Sequence, residues 1–406
     1  MNLFKQRRAA LAVVDSAHAQ SPDRVCAPPE RSPQVFTHGQ GSWLWDDQGH
    51  AYLDFCQAGG SNTLGHSPQV LARALGEQAQ ALISSGGGMA ADASWAYGER
   101  LRQATDSDQV HLLDSAAEAC QGAIGLARQW GRLHRGGARH IIVVGQAFAG
   151  HLPHLCRDGG ADVSQVPFND LPALHAEVDS RTVAILLEPL QASSTATPAT
   201  RDYFHGVHTL CRELGILFIL DELHSGAGRC GALLAEQLYG VRADIVTLGK
   251  GLGGGVALAA LLTRATACCN EAPRPLAGHA GHALSSAAGL AVLDTLLAPG
   301  FLAQVQDSAR YLREGLNRQA RRHALGEVDG LGLLCALRLR EPQADALVAA
   351  ARDEGLLIEA LQPDSVRLSP ALDVSRAAID DMLKRLLRAF ARLRHSHTRA
   401  LSQASG

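Results

Sequence analysis

Four short runs in this 406-residue chain are apolar almost from end to end: His140–Val144, Thr182–Leu187, residues 216–220 and Ile245–Leu248. Each is too short for a buried helix and has no polar face to turn to water, so each has to be covered on both sides. Strands of that kind belong in the middle of a parallel sheet with helices packed on both faces. The stretches between them agree. Residues 117–134 and 203–214 repeat their apolar positions at helical spacing, and residues 110–113 and 257–262 supply two more strands. The pattern predicts an α/β domain with a mostly parallel central sheet.

The two ends of the chain read differently. Residues 42–54 alternate apolar and polar positions around Asp46-Asp47-Gln48-Gly49, a hairpin signal. A helix over 68–83 follows, opening on Ser67-Pro68 and stopping at Ser84-Ser85-Gly86-Gly87-Gly88. Beyond the sheet, residues 284–297 and Phe301–His323 read as two amphipathic helices parted by the breaker Ala298-Pro299-Gly300. A strand at 333–339, a helix at 342–353, short strands near Leu357 and Val366 and a helix at 376–393 make the pattern of a smaller α+β domain. The expected division is an N-terminal segment 1–55 that joins the small domain, a large domain 56–298 and a C-terminal small domain 299–406.

A formal charge of -3 offers no basic surface for nucleic acid. The nine cysteines form no C-x-x-C pair and are odd in number, which fits reduced thiols in the cytoplasm. Asp15 and His18 interrupt the N-terminal apolar stretch before it reaches the length of an export signal, and no run approaches the roughly 18 to 20 residues of a membrane span. His279-Ala280-Gly281-His282, ten residues after Cys268-Cys269, matches no usual set of metal ligands. The expectation is a cytoplasmic protein that works on small molecules, without nucleic acid, membrane or metal.

In an open parallel sheet, residues that follow the strands share one crevice. The run 216–220 ends in Asp221-Glu222, and Ile245–Leu248 leads to Lys250 inside Gly249-Lys250-Gly251-Leu252-Gly253-Gly254-Gly255. An amine held between glycines at the end of a buried strand is partly desolvated, which lowers its pKa and readies it to attack an aldehyde. A buried carboxylate nearby can keep a pyridine nitrogen protonated. Together these are the parts that pyridoxal phosphate chemistry needs. Taken singly, Asp221 also reads as a helix-capping acid and Lys250 as a turn lysine; their pairing favours the cofactor.

Ser115-Ala116-Ala117-Glu118 opens a helix with a capping box, and the free N–H groups of such a helix end also suit a phosphate. Phe148, beyond His140–Val144, is either core or a ring that stacks on a pyridine. Arg367 interrupts an apolar strand, where a guanidinium either pairs with a local acid or clamps a substrate carboxylate. The residues alone favour the local acid.

Taken in order, these motifs resemble the class III aminotransferases of pyridoxal phosphate fold type I, most nearly the acetylornithine and ornithine aminotransferase group. The likeness runs from about Phe36 to Leu393. It rests on Gly39-Gln40-Gly41-Ser42-Trp43-Leu44-Trp45-Asp46, Tyr52-Leu53-Asp54-Phe55, Leu64-Gly65-His66-Ser67-Pro68, Ala123-Ile124-Gly125-Leu126-Ala127-Arg128, Leu187-Glu188-Pro189-Leu190-Gln191, Asp221-Glu222-Leu223-His224-Ser225-Gly226-Ala227-Gly228-Arg229 and Thr247-Leu248-Gly249-Lys250-Gly251.

The resemblance implies a large domain with a parallel sheet and a smaller α+β domain, pyridoxal 5'-phosphate as cofactor, an amino donor and a 2-oxo acid as substrates, and a homodimer. It makes Lys250 the Schiff-base lysine and proton shuttle, and Asp221 the partner of the pyridinium nitrogen. Leu223 packs on the ring, Phe148 stacks on it, and His224 stands where the family has a glutamine beside the cofactor hydroxyl. Ser115, Ala116 and Ala117 form the phosphate cup. Glu188 and Arg367 match a glutamate and arginine that act as a gate, the arginine covered when an ω-amino donor binds and freed for the acceptor's carboxylate.

Departures from the pattern fall on the substrate and phosphate positions. His151 replaces an arginine that grips the α-carboxylate of acetylornithine, and a lost charge-assisted hydrogen bond costs about 1.5 to 3 kcal/mol. Gln191-Ala192-Ser193-Ser194-Thr195 replaces a glycine-rich run, and Gly278 stands near the place of a threonine that reaches the partner subunit's cofactor phosphate. Two other readings stand beside an aminotransferase that uses 2-oxoglutarate. One is a racemase or decarboxylase with the same cofactor; the other is a non-catalytic paralogue that binds or regulates.

Overall fold

The structure, a computed structural model, describes residues 34–85, 91–145, 162–265, 267 and 281–404. Strands β1 (Phe36–Gln40), β2 (Trp43–Asp46) and β3 (Ala51–Asp54) form an antiparallel meander at the N-terminal end. The hairpin expected over 42–54 is β2–β3, closed by Asp46, whose Oδ1 accepts the N–H groups of Gln48 and His50 at 3.0 and 2.8 Å. Helix α1 (Gln69–Ala81) lies within the expected 68–83. Helix α2 (Asp92–Thr105) was not foreseen, because few of its residues are buried and its stripe is narrow: Tyr97, Leu101 and Thr105.

The central sheet holds β4 (Gln109–Leu113), β5 (His140–Val144), β6 (Val163–Val166), β7 (Thr182–Leu187), β8 (Leu217–Asp221), β9 (Ile245–Leu248) and β10 (Ala259–Thr263), in the order β4-β10-β9-β8-β7-β5-β6. All run parallel except β10, which is antiparallel to both its neighbours. The carboxyl ends of β4, β5, β7, β8 and β9 therefore meet at one edge. Every residue of β5, β7, β8 and β9 is buried, and each large apolar side chain taken out of water contributes about 1.5 to 3 kcal/mol. Two boundaries differ from the sequence expectation. Ile216 belongs to the preceding turn, where its N–H bonds the Cys211 carbonyl, so β8 starts one residue later and takes in Asp221. Val256 closes a turn on Gly253, which delays β10 to Ala259.

Helix α3 (Ala116–His134) covers one face of the sheet with Ala119, Cys120, Ala123, Ile124, Leu126, Ala127 and Trp130. Helices α4 (Leu171–Glu177) and α5 (Arg201–Leu214) serve the other cluster, where Phe204 stacks on Tyr239. A single turn, α6 (Glu236–Tyr239), precedes β9. Helices α7 (Ala283–Leu296) and α8 (Phe301–His323) meet at 74° across the expected breaker. No single helix among the described residues is long and apolar enough to cross a membrane.

The C-terminal end adds β11 (Gly326–Leu331), β12 (Leu334–Leu339), α9 (Ala344–Asp353), β13 (Leu356–Leu357), β14 (Glu359–Gln362), β15 (Ser365–Leu368) and α10 (Arg376–Ala404). Strand β11 escaped the sequence reading because Gly326, Glu327, Asp329 and Gly330 give it no apolar run; its antiparallel ladder with β12 holds it. Strand β13 pairs with β3, Leu356 opposite Leu53, so both ends of the chain share one sheet.

Candidate active site

The floor of the crevice is a left-handed turn. Gln57, Ala58, Gly59 and Gly60 have φ of 46°, 52°, 66° and 89°, a run that L side chains resist and that other parts of the chain therefore have to hold. Asp54 does so from below: its Oδ1 accepts the N–H groups of Cys56 and Gln57 at 2.7 and 3.0 Å, and its Oδ2 lies 2.7 Å from His66 Nε2. From the C-terminal side, Ser369 donates its N–H to the Phe55 carbonyl at 2.7 Å and its hydroxyl to the Cys56 carbonyl at 2.8 Å. Arg229 clamps both, with Nη2 on the Gly60 carbonyl at 3.1 Å and Nη1 on the Pro370 carbonyl. Burial lowers the Arg229 pKa to about 10. The motifs around residues 41, 54, 66 and 229 are thus one support. Gly65 fits because a Cβ there would lie 2.7 Å from the Gly41 carbonyl oxygen.

Asp221 ends β8, and Lys250 follows the neighbouring strand β9. Asp221 pairs in register with Thr247, and its buried carboxylate accepts the Leu223 N–H at 3.0 Å and the Thr247 hydroxyl at 3.2 Å through Oδ1. Three residues on, Lys250 begins a 3₁₀ turn, Lys250–Gly253, with its own φ at 44°. Thr63 holds that turn by donating to the Gly251 carbonyl at 2.5 Å. Burial and the nearby Arg367 charge bring the Lys250 pKa down to about 8, against the opposing pull of Glu359, Asp221 and Glu188. The same burial, with Lys250 and Arg367 adding to it, holds His224 well below the usual imidazole range, so its ring is neutral.

Glu222 does something else. Its carboxylate faces away from this pair and accepts the N–H groups of Ala235 and Glu236 at 2.6 and 2.9 Å and the Ser225 hydroxyl at 3.2 Å, anchoring α6. Burial and the charge of Glu236 push its pKa up to about 8.

Ser115 caps α3 as read from the sequence. Its Oγ accepts the Glu118 N–H at 3.3 Å, and Glu118 returns a carboxylate oxygen to the Ser115 N–H at 3.0 Å. Gly249 brings this helix end to the lysine. A Cβ on Gly249 would lie 2.8 Å from Leu223 Cδ2 and 3.8 Å from Ala116 Cβ, so Leu223, Ala116 and the residue before Lys250 close on one another.

Arg367, buried on β15, donates from Nη2 to Glu359 Oε2 at 2.7 Å and from Nη1 to the Ala192 carbonyl at 3.0 Å; its Nε is buried without a hydrogen-bond partner among the described residues. The local acid is thus Glu359, directly opposite on β14. Glu188 is buried at the end of β7, and its Oε2 accepts the Ala192 N–H at 3.3 Å. A Cβ on Gly59 would lie 3.6 Å from both Lys250 Nζ and Arg367 Nη2, so both cations reach the same space.

Of the residues read from the sequence, the structure gathers Lys250, Asp221, Leu223, Ser115, Ala116, Glu188, His224 and Arg367 around the edge where the parallel strands end, with Ala117 in the first turn of α3. Phe148, His151 and Gly278 lie outside the described residues. Glu359, Thr247, Thr63 and the turn at Gly59 were missed. Glu359 left one signal: like Arg367 eight residues on, it is a lone charge in a short apolar strand, of opposite sign.

The donor set fits pyridoxal phosphate. A desolvated amine, a buried carboxylate one strand away, an apolar side chain at Leu223 and a capped helix end lie around one crevice that glycines 59 and 249 keep free of side chains.

The family model described as aminotransferase class-III matches residues 26–156 and 154–390. Acetylornithine aminotransferase 2 of Bordetella bronchiseptica is 42% identical over 371 residues, 88% of this chain and 94% of that protein. The crystal structure of N-acetylornithine aminotransferase from Stenotrophomonas maltophilia superposes with a TM-score of 0.81 at 28% identity, over 94% of this chain and 100% of that one. The ornithine aminotransferase of Toxoplasma gondii, with pyridoxal phosphate at partial occupancy in its active site, shares the fold at a TM-score of 0.85 and 23% identity, over 98% of this chain and 99% of that one.

Proposed function

The chain belongs to the class-III aminotransferases, enzymes that transfer amino groups with pyridoxal phosphate, and on that footing we propose that it takes the amino group from an ω-amino donor of the acetylornithine or ornithine kind and passes it to 2-oxoglutarate. The observation that carries this reading is a desolvated lysine, Lys250, sharing a crevice with Asp221 and with the buried guanidinium of Arg367.

When bound, pyridoxal phosphate supplies an aldehyde for the amine and a ring that draws electrons from a breaking bond at the substrate carbon. The chain does the rest. Asp221, oriented by Thr247 and the Leu223 N–H, stands as the carboxylate for a cationic ring nitrogen, and Leu223 packs on the ring face. The helix end at Ser115, Ala116 and Ala117 offers N–H groups to a phosphate, and the neutral His224 offers a hydrogen bond to a ring hydroxyl. Lys250, with a pKa of about 8, takes and returns the proton at the substrate carbon near neutral pH. Arg367 takes a carboxylate of the acceptor, and the resemblance gives substrate-binding roles to Glu188 and His151 and cofactor-binding roles to Phe148 and Gly278.

We read residues 1–55 with 299–406 as one small domain against a large domain 56–298, a division supported by the pairing of β13 with β3. The assembly is read as a cytoplasmic homodimer. Apolar side chains exposed at Val70, Leu82, Ile83 and Trp95 support a subunit contact.

The test is turnover by the purified holoenzyme. Glutamate formed from 2-oxoglutarate with acetylornithine or ornithine supports the proposal. Loss of donor chirality without an acceptor would replace it by a racemase, and protein that takes up no cofactor would replace it by a binding role. Lys250→Ala is expected to abolish the visible absorption of the holoenzyme and to slow turnover by about two to four orders of magnitude.

A further inference from the structure

Two glutamates flank the Arg367 guanidinium, and they do so differently. Glu188 is linked to it through the backbone of one residue: its carboxylate accepts the Ala192 N–H, and the Ala192 carbonyl accepts from Arg367 Nη1. Glu359 touches it directly. The antiparallel register of β14 and β15 sets Glu359 opposite Arg367, and the ion pair is 2.7 Å long.

The pair is lopsided. The Arg367 side chain is 5% exposed and held by the Ala192 carbonyl, whereas Glu359 is 41% exposed. The half-exposed carboxylate is rehydrated as it leaves, so the cost of parting falls on the buried guanidinium, and an incoming carboxylate offsets it. The hydrogen bond from Arg367 to Glu359 also runs through Nη2, while the buried Nε has no partner among the described residues. An incoming carboxylate that takes Nε and Nη2 together makes the two parallel bonds that a guanidinium favours, and satisfies a donor that Glu359 leaves unmet. Gly59 leaves the space between Arg367 Nη2 and Lys250 Nζ open, so a carboxylate held there keeps its chain directed toward the lysine.

We propose that Glu359 is a positioning residue that covers Arg367 between turnovers and yields it to a dicarboxylate acceptor, making the small-domain strand β14 the gate for the second carboxylate. This rests on the aminotransferase reading above. With Glu359 in place the Arg367 charge is balanced while a donor binds; with Glu359 displaced it is free for the acceptor's carboxylate.

Glutarate, an unreactive dicarboxylate with the length of the acceptor, tests this by calorimetric titration of the holoenzyme, with KM for 2-oxoglutarate measured alongside. Glu359→Gln removes the competing charge and is expected to tighten glutarate about three- to tenfold and to lower the acceptor's KM in step. Glu359→Asp, which keeps the charge but shortens the reach, is expected to tighten it less. Glu188→Gln asks whether the buried glutamate, instead of Glu359, is the competitor for the guanidinium. Glutarate binding that is unchanged or weaker in both Glu359 variants would overturn the proposal, as would tightening in Glu188→Gln alone. Should Glu359→Gln fail to fold, the Asp variant decides by the same criterion. If the wild type transfers no amino group, the reaction assigned above fails, while the glutarate series still reads the Glu359–Arg367 pair.

Discussion

The Thr247 hydroxyl donates to Oδ1 of Asp221 at 3.2 Å, and Thr247 is also the register partner of Asp221 across β8 and β9. The residue that orients the carboxylate is therefore three positions ahead of the lysine that shares its crevice, on the strand that leads to it. Thr247→Val keeps the shape and removes the donor, while the Leu223 N–H still binds the same oxygen. A hydrogen bond to a carboxylate contributes about 1.5 to 3 kcal/mol, so cofactor affinity is expected to fall by roughly tenfold or more. Spectrophotometric titration of the apoprotein with pyridoxal phosphate reads this. Asp221→Asn is expected to slow turnover by a hundredfold or more, on the order of what a lost electrostatic contact costs catalysis. A Thr247→Val protein that binds cofactor like the wild type would show that the hydroxyl does not position Asp221.

Lys250 gives the apoprotein a pH signature. Burial and Arg367 hold its pKa at about 8, below the ordinary 10.5. Between those two values the unfolded chain carries a proton that the folded chain has shed, so stability rises with pH across that window. Below it both states are protonated and the cost of the buried cation is felt in full. The unfolding free energy of the wild type minus that of Lys250→Met should therefore climb from pH 8 to pH 10.5, as read by denaturant midpoints. A difference that stays flat over that range removes the desolvated lysine from the account.

Much of this was legible because burial on both faces writes itself as an uninterrupted apolar run. Strands β5, β7 and β9 were read to the residue for that reason, and the capping box at Ser115 and Glu118 marked the start of α3 within one position. Strand β11 and helix α2 were not legible, since backbone pairing holds one and the other shows a narrow stripe. In the site, Lys250 and Asp221 could be paired from sequence because each ends an apolar strand of one parallel sheet. The Arg367–Glu359 pair depends on which residues of two short strands lie opposite each other, and no local pattern states a register. The turn at Gln57–Gly60 was hidden for a related reason: two of its four left-handed residues, Gln57 and Ala58, are not glycine, and distant groups such as Arg229 and Ser369 hold it.

Glu236 and Arg264 form a buried ion pair with contacts at 2.5 and 3.0 Å, and Nη1 and Nη2 of Arg264 also reach the Ala243 and Thr105 carbonyls. Removing one partner strands the other without a counter-charge. Glu236→Gln is expected to cost about 3 to 5 kcal/mol of stability, and the Glu236→Leu, Arg264→Leu double variant less than the sum of its single changes. Chemical denaturation of the four proteins checks this. Additive losses would mean that the two residues act independently.

Gly59 and Gly60 make a matched pair for asking whether open space in the crevice matters. Both have positive φ, 66° and 89°, so an added methyl brings backbone strain of about 1 to 2 kcal/mol at either position. Their surroundings differ. A Cβ on Gly59 would sit 3.6 Å from Lys250 Nζ and from Arg367 Nη2, whereas a Cβ on Gly60 would meet Arg229 and Ser369 at 3.6 to 3.7 Å, behind the turn. Gly59→Ala is therefore expected to raise the KM of both substrates several-fold beyond any change in Gly60→Ala, while the two variants lose similar stability. Steady-state kinetics with thermal unfolding on the same samples separates the effects. Equal KM changes in the two variants would mean that strain, not occupied space, is what the substrates feel.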